Sequence, residues 1–255
     1  MTTTIRLQSG LVIKVECADC GADDCIAPLF SDEWLGTAVW PAARVLVDFL
    51  EEHRATLDLP SLSIVELGSG TGVCGLAAAG LGATRVTLTD KCALLETLAH
   101  NICLNSLGSS VECRELTWST TPLPHDVFHD GADLVLMSDC LNSVYGDQHA
   151  VALASTLRCL LQRRLQLQHP AHATSASPMG LLSQARRGSG QAEDTFFSEC
   201  ARIGLVAELV ATSYEPVGAV FSGGSISSHA TGLVGEQVHD DSAVMVSLYT
   251  VKLKP

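Results

Sequence analysis

The residues of this sequence best equipped for chemistry stand at the ends of short apolar runs. Ser63-Ile64-Val65-Glu66-Leu67 leads into Gly68-Ser69-Gly70-Thr71-Gly72, then into Val73-Cys74-Gly75 and an alanine-rich stretch ending at Leu81. Three glycines at alternate positions make a turn that takes positive φ and lets a ligand approach bare backbone, and the helix that follows aims its first N–H groups at the same point. Two more acids close apolar runs, Asp90 after residues 84–89 and Asp139 after residues 133–138, while Trp118 ends a weaker run that begins at Ser110. Such a set suits a small nucleotide-like ligand lying on the glycine turn with carboxylates beside it.

Gly70-Thr71-Gly72-Val73-Cys74-Gly75 fits the dinucleotide pattern G-x-G-x-x-G, and Asp90 lies about 20 residues on, where a carboxylate holds ribose hydroxyls. A nicotinamide-dependent oxidoreductase is therefore one reading. Glu66 argues for another, because a carboxylate two positions before the first glycine would face a pyrophosphate at close range and cost affinity. S-adenosylmethionine carries no phosphate; its sulfonium, α-ammonium and ribose diol all favour acids. The expectation is Glu66 at the methionine end of that cofactor and Asp90 at its ribose.

The elements that must position these residues follow from the periodicity. Residues 5–8 and 11–15 read as two short strands around Ser9-Gly10, an N-terminal β extension over residues 1–35. Residues 36–255 then read as one catalytic domain. Pro41 suits the first turn of a helix with an apolar stripe of Val45, Leu46, Phe49 and Leu50. After the glycine turn come a strand over 84–90, a helix over 92–105, a strand over 110–116, a loop to Asp130 and a strand over 133–139. A helix over 147–165, a polar loop over 166–178, a strand over 179–185 and a helix over 192–203 follow. Strands over 205–213 and 243–253 close the chain, separated by a Gly-, Ser- and His-rich insertion over 215–241.

Strands alternating with helices predict an α/β fold: a Rossmann-like, doubly wound, seven-stranded and mostly parallel sheet, with an antiparallel edge formed by the last strands. Ligands on such sheets bind outside the carboxyl ends of the strands, at the switch point. Glu66, Gly68, Asp90, Trp118 and Asp139 all fall at those ends, so four strands deliver them to one cleft.

Composition narrows the partners. The chain has 255 residues and a formal net charge of −13, from 28 acidic and 15 basic side chains, which disfavours a nucleic-acid backbone and is compatible with a cationic, lysine-bearing protein. No apolar stretch approaches the ~18 to 20 residues of a membrane span, and the N-terminus lacks a basic-then-apolar leader pattern. The expectation is a soluble protein of the cytoplasm or nucleus, with its ten cysteines reduced. Cys17, Cys20 and Cys25 have half the spacing of a zinc site, but no second pair follows, so they read as incidental thiols in a loop and no metal is expected.

Several of these stretches together resemble a known family. Val39-Trp40-Pro41-Ala42-Ala43, Glu66-Leu67-Gly68-Ser69-Gly70-Thr71-Gly72, Thr87-Leu88-Thr89-Asp90 with Asn101 and Asn105, then Trp118, Ser138-Asp139, Ala185-Arg186-Arg187 and Phe196-Phe197 are similar to the seven-β-strand protein-lysine methyltransferases. The likeness covers roughly residues 35–210. It implies an S-adenosylmethionine-dependent transfer to a lysine of a protein substrate, with Trp40, Glu66, Gly68, Gly70, Asp90, Trp118 and Ser138 around the cofactor and Trp118 beside the adenine. That family follows its fourth strand with Asp-x-x-Tyr, whereas this chain has Asp139-Cys140-Leu141-Asn142. Asp139 and Asn142 are thus the candidate catalytic pair, and a binding module that has lost turnover through the Tyr-to-Asn change is the alternative. Tyr145 stands three residues further on, with no spacing argument to bring it back.

Overall fold

The apolar runs become the strands of one sheet. The computed structural model describes residues 1–17, 36–123, 128–167, 177–186, 188–216 and 243–254. Cys20, Cys25, Arg187, residues 217–241 of the expected insertion and residues 168–176 of the polar loop lie outside the described residues.

In chain order the elements are β1 Thr2–Arg6, β2 Val12–Glu16, α1 Pro41–Leu57, β3 Ser63–Leu67, α2 Val73–Gly80, β4 Arg85–Asp90, α3 Leu95–Leu104 and β5 Val111–Glu115. Then follow β6 Leu134–Ser138, α4 Asp147–Leu167, β7 Met179–Ala185, α5 Gln191–Arg202, β8 Leu205–Pro216 and β9 Ala243–Leu253. The large sheet has the order β5-β4-β3-β6-β7-β9-β8. Strands β5, β4, β3, β6 and β7 pair in parallel, and β9 is antiparallel to both β7 and β8. The expected antiparallel edge is there, with β9 as the reversed strand and β8 as the edge. Connections run outward in both directions from the β3–β6 pair, so the switch point lies between those two strands.

Side chains of β3 and β6 alternate between two cores, as a strand's period of two requires. Ile64, Leu134 and Leu136 pack with α1, α2, α3 and the N-terminal hairpin. Val65, Leu67, Val135 and Met137 pack with α4 and α5 on the other face. Helices cover both faces, and the central strands therefore read as continuous apolar runs.

Several local readings shift. The first strand, expected over 5–8, is Thr2–Arg6, and β8, expected over 205–213, runs on to Pro216 and takes in the first two residues of the expected insertion. The buried stripe of α1 is Ala42, Ala43, Leu46, Val47 and Leu50, while Val45 and Phe49 are only half-buried. Small Ala42, fully buried, faces β7, where Ser183 Oγ donates to the Ala42 carbonyl at 2.8 Å. The helix expected from residue 92 begins with a 3₁₀ turn over Cys92–Leu94 before α3.

The hairpin β1–β2 shares the main core through Ile5, Leu7, Ile13 and Val15. Asn101 fixes it in place. Its Oδ1 accepts from the Glu16 amide at 2.7 Å and its Nδ2 donates to the Thr71 carbonyl at 2.9 Å, so one fully buried amide ties the hairpin to the glycine turn. One turn of helix later, Asn105 pairs with both the amide (2.9 Å) and the carbonyl (2.6 Å) of Lys14, in the manner of a neighbouring strand. Asn101→Ala strands two partly or fully buried backbone groups and is expected to cost about 2 to 4 kcal/mol in urea unfolding. A loss below about 0.5 kcal/mol would show that water replaces the amide.

Candidate functional site

The turn after β3 is built by backbone. Gly68 and Gly70 have φ of +64° and +53°, and a Cβ on Gly70 would stand 2.7 Å from the Gly36 carbonyl oxygen. Any side chain there would strain the turn and collide with a second piece of backbone. Ser69 stitches the turn to β4: its N–H donates to the Thr89 carbonyl, and its Oγ accepts from the Thr89 amide, both at 2.9 Å.

Glu66 sits beneath this turn at 2% exposure, not at a solvated strand end. Its Oε2 accepts from the Gly75 amide at 2.9 Å, in the first turn of α2. Burial dominates over that bond and pushes the carboxyl pKa up to about 8. At neutral pH Glu66 is therefore mostly protonated in the ligand-free protein. A group whose pKa is raised on folding contributes stability that is complete below about pH 4.5 and is lost as pH rises through about 8. Relative to Glu66→Gln, the ligand-free wild type is expected to lose roughly 3 kcal/mol between pH 6 and pH 9. Parallel unfolding curves for the two proteins would contradict a buried, titrating Glu66.

Asp90 ends β4 with both carboxylate oxygens engaged: Oδ2 accepts from the Gly70 amide and Oδ1 from the Lys91 amide, each at 2.8 Å. Burial raises its pKa from the ordinary aspartate value, against the pull of those two amides. Trp118 lies along the turn, with Cζ2 2.8 Å from where a Cβ on Gly68 would be. Ser138, at the end of β6, has a buried Oγ with no hydrogen-bond partner among the described residues. All nine residues singled out in the sequence, namely Trp40, Glu66, Gly68, Gly70, Asp90, Trp118, Ser138, Asp139 and Asn142, line a single cavity at the switch point.

Asp139 takes φ +56°, a left-handed conformation tolerated by aspartate but costly for most residues. Gln184 of β7 holds it there. Gln184 is 2% exposed; its Nε2 donates to Asp139 Oδ1 (3.2 Å), to the Leu141 carbonyl (2.9 Å) and to the Ala185 carbonyl (3.1 Å). Its Oε1 accepts from the Leu141 amide at 3.0 Å. Sequence reading missed this residue, although an amide inside the apolar run Met179-Gly180-Leu181-Leu182 to Ala185 was a signal, because a buried amide must find partners. Cys140 beside it donates its thiol to the Leu67 carbonyl at 3.2 Å, and burial keeps that thiol protonated.

Asn142 is used by the backbone. Its Oδ1 accepts from the Val144 amide at 3.1 Å and caps a 3₁₀ turn over Ser143–Tyr145. Tyr145, which the sequence offered without a spacing argument to place it, and His149, which sequence reading overlooked, complete the cavity wall. Their rings stack with centroids 4.9 Å apart, and His149 meets Trp118 edge-on at 4.8 Å.

Among the described residues, the wall of the cavity carries three carboxyl groups, from Glu66, Asp90 and Asp139, against a single lysine, Lys91. That balance favours a cationic ligand over a phosphorylated one. Among the described residues no group of three His, Cys, Asp or Glu side chains could hold a metal ion, and no helix is long and apolar enough to cross a membrane.

Comparison with known proteins gives a concordant result. A family model described as lysine methyltransferase matches residues 31–198. Protein N-lysine methyltransferase METTL21A of Danio rerio is 40% identical over 138 residues, covering 51% of this chain and 59% of that relative. Protein-lysine methyltransferase METTL21E of Mus musculus is 40% identical over 81 residues, covering 32% of each. The chain thus matches about a third to three-fifths of the length of these relatives. Among solved structures, Pyrococcus horikoshii TYW2 in complex with MeSAdo superposes with a TM-score of 0.53 at 13% identity, over 100% of this chain and 72% of that one, a likeness of fold.

Proposed function

We propose that this chain, which belongs to the lysine methyltransferase family, moves a methyl group from S-adenosylmethionine to the side-chain amine of a lysine in a protein substrate. The observation that carries this reading is the glycine turn at the switch point, walled by three carboxyl groups and one lysine. The cavity fits the cofactor: the orphaned Ser138 Oγ offers it a hydrogen-bonding group, and the turn leaves no Cβ between ligand and backbone. A pyrophosphate-bearing cofactor would find the Glu66 carboxyl beneath the turn instead of a cation, which counts against the nicotinamide reading, while Asp90 suits the ribose of either cofactor.

S-adenosylmethionine, when bound, supplies a methyl group made electrophilic by a sulfonium sulfur. Asp90 would hold the ribose hydroxyls, Trp118 would cover the adenine, and Glu66 and Ser138 would serve the methionine end, with Trp40 closing the side. Asp139 would receive the acceptor nitrogen. A lysine of pKa about 10.4 is almost wholly protonated at pH 7, a cost of roughly 4 to 5 kcal/mol before its lone pair can react. Asp139 attracts and aligns the incoming ammonium but by itself stabilises the charged form. Exclusion of water by the Trp118, Tyr145 and His149 rings opposes that effect, because desolvation lowers an amine's pKa.

The eight cysteines among the described residues are all free thiols, which supports a place in the cytoplasm or nucleus. The net charge of −13 supports a basic protein segment as substrate and not a nucleic acid. Calorimetry with S-adenosylmethionine and NAD in parallel tests the cofactor: micromolar binding of the first and no heat from the second is expected. Tight NAD binding with no response to S-adenosylmethionine would overturn the proposal.

A further inference from the structure

The change from Asp-x-x-Tyr to Asp139-x-x-Asn142 removes a ring from the place where the acceptor nitrogen is to be enclosed, yet the cavity does not lack a ring there. A 3₁₀ turn is closed by hydrogen bonds between residues three apart. Asn142 caps such a turn with Oδ1 on the Val144 amide, and the Tyr145 amide donates back to the Asn142 carbonyl at 3.0 Å. Tyr145 closes that turn and lines the same cavity as Asp139 and Asn142. Its ring does not stand alone. It stacks on His149 at an interplanar angle of 25°, and His149 in turn abuts Trp118, which rests on Gly68. A continuous row of three rings, Trp118, His149 and Tyr145, runs outward from the glycine turn in the cavity that Asp139 also lines.

We propose that Tyr145, one 3₁₀ turn beyond the vacated position, is the aromatic wall that contacts the acceptor lysine's side chain, and that Asn142 is a positioning residue that acts by capping the turn that presents it. This inference rests on the methyl-transfer reading above and deepens it. Two physical features support the assignment. An aromatic face in the same cavity as the Asp139 carboxylate favours the methylene stem of a lysine and a cationic head in transit. A capping asparagine whose oxygen is committed to a backbone amide is poorly placed to serve as a proton acceptor as well.

The test uses the full chain, labelled S-adenosylmethionine at saturation, and lysate protein as acceptor at several concentrations. Tyr145→Leu, which keeps apolar bulk but loses the ring, is expected to lower the apparent kcat/KM for acceptor protein about tenfold, mostly through KM. Tyr145→Phe is expected to restore most of that loss. S-adenosylhomocysteine affinity of Tyr145→Leu should stay within about twofold of wild type, which separates a lost wall from a collapsed site. Asn142→Ser, which retains a capping oxygen, should cost clearly less than Asn142→Leu. Wild-type kcat/KM in Tyr145→Leu, or equal losses in Asn142→Ser and Asn142→Leu, would overturn the assignment. Absence of labelling by the wild type would count instead against the methyl-transfer reading on which it rests.

Discussion

Asp139→Asn is expected to cut methyl transfer by about 10²- to 10³-fold while S-adenosylhomocysteine binding changes by less than about threefold. The substitution is nearly isosteric, and an amide oxygen can still accept the Gln184 Nε2 bond that orients Asp139 at 3.2 Å. The left-handed backbone at φ +56° also tolerates asparagine. What disappears is the negative charge that draws and aligns the lysine ammonium, a charge-assisted contact roughly twice as strong as its neutral counterpart. Misplacing a reacting nitrogen by about 1 Å can by itself cost about 10²-fold. Single-turnover incorporation of label measures the step directly. A loss below about fivefold would show that Asp139 orients the loop and does not serve the acceptor.

Asp90→Ala should have the second largest effect, weakening S-adenosylmethionine binding by about 30- to 100-fold. Two contributions add. The carboxylate that would take the ribose diol is gone, at roughly 1.5 to 3 kcal/mol for bonds to a charged group. The Gly70 amide also loses its 2.8 Å partner, so the turn that carries the ligand is released from β4. Asp90→Asn keeps an acceptor for Gly70 and is expected to lose less, about tenfold. Calorimetric titration separates the two contributions. Unchanged affinity in Asp90→Ala would mean that the ribose lies elsewhere.

The legible parts of this molecule were those written in local pattern. Ile64, Val65 and Leu67, like Leu134 to Met137, are apolar on both sides of the strand because both faces of a parallel sheet are covered, and that pattern placed Glu66 and Asp139 near strand ends. Glycine spacing marked the ligand turn for the same reason: only bare backbone can take +53° at Gly70 against the Gly36 carbonyl. Contacts between elements distant in sequence were not legible. Gln184 lies 45 residues from Asp139, and only the β6–β7 pairing brings its amide under that carboxylate. Tyr145 needed a 3₁₀ turn that no apolar periodicity announces, and the cap that makes it, Asn142, was read for its chemistry instead of its backbone bond. Glu66 was read as a charge facing the ligand; burial makes it neutral near pH 7 until a cation arrives.

The most direct test is the chemical identity of the labelled product. The protein would be incubated with methyl-labelled S-adenosylmethionine and cell lysate, with Asp139→Asn as control, and the labelled protein hydrolysed to amino acids. The account predicts label above control that travels with methylated lysine. Label on another amino acid, or no protein label above the control, would contradict it.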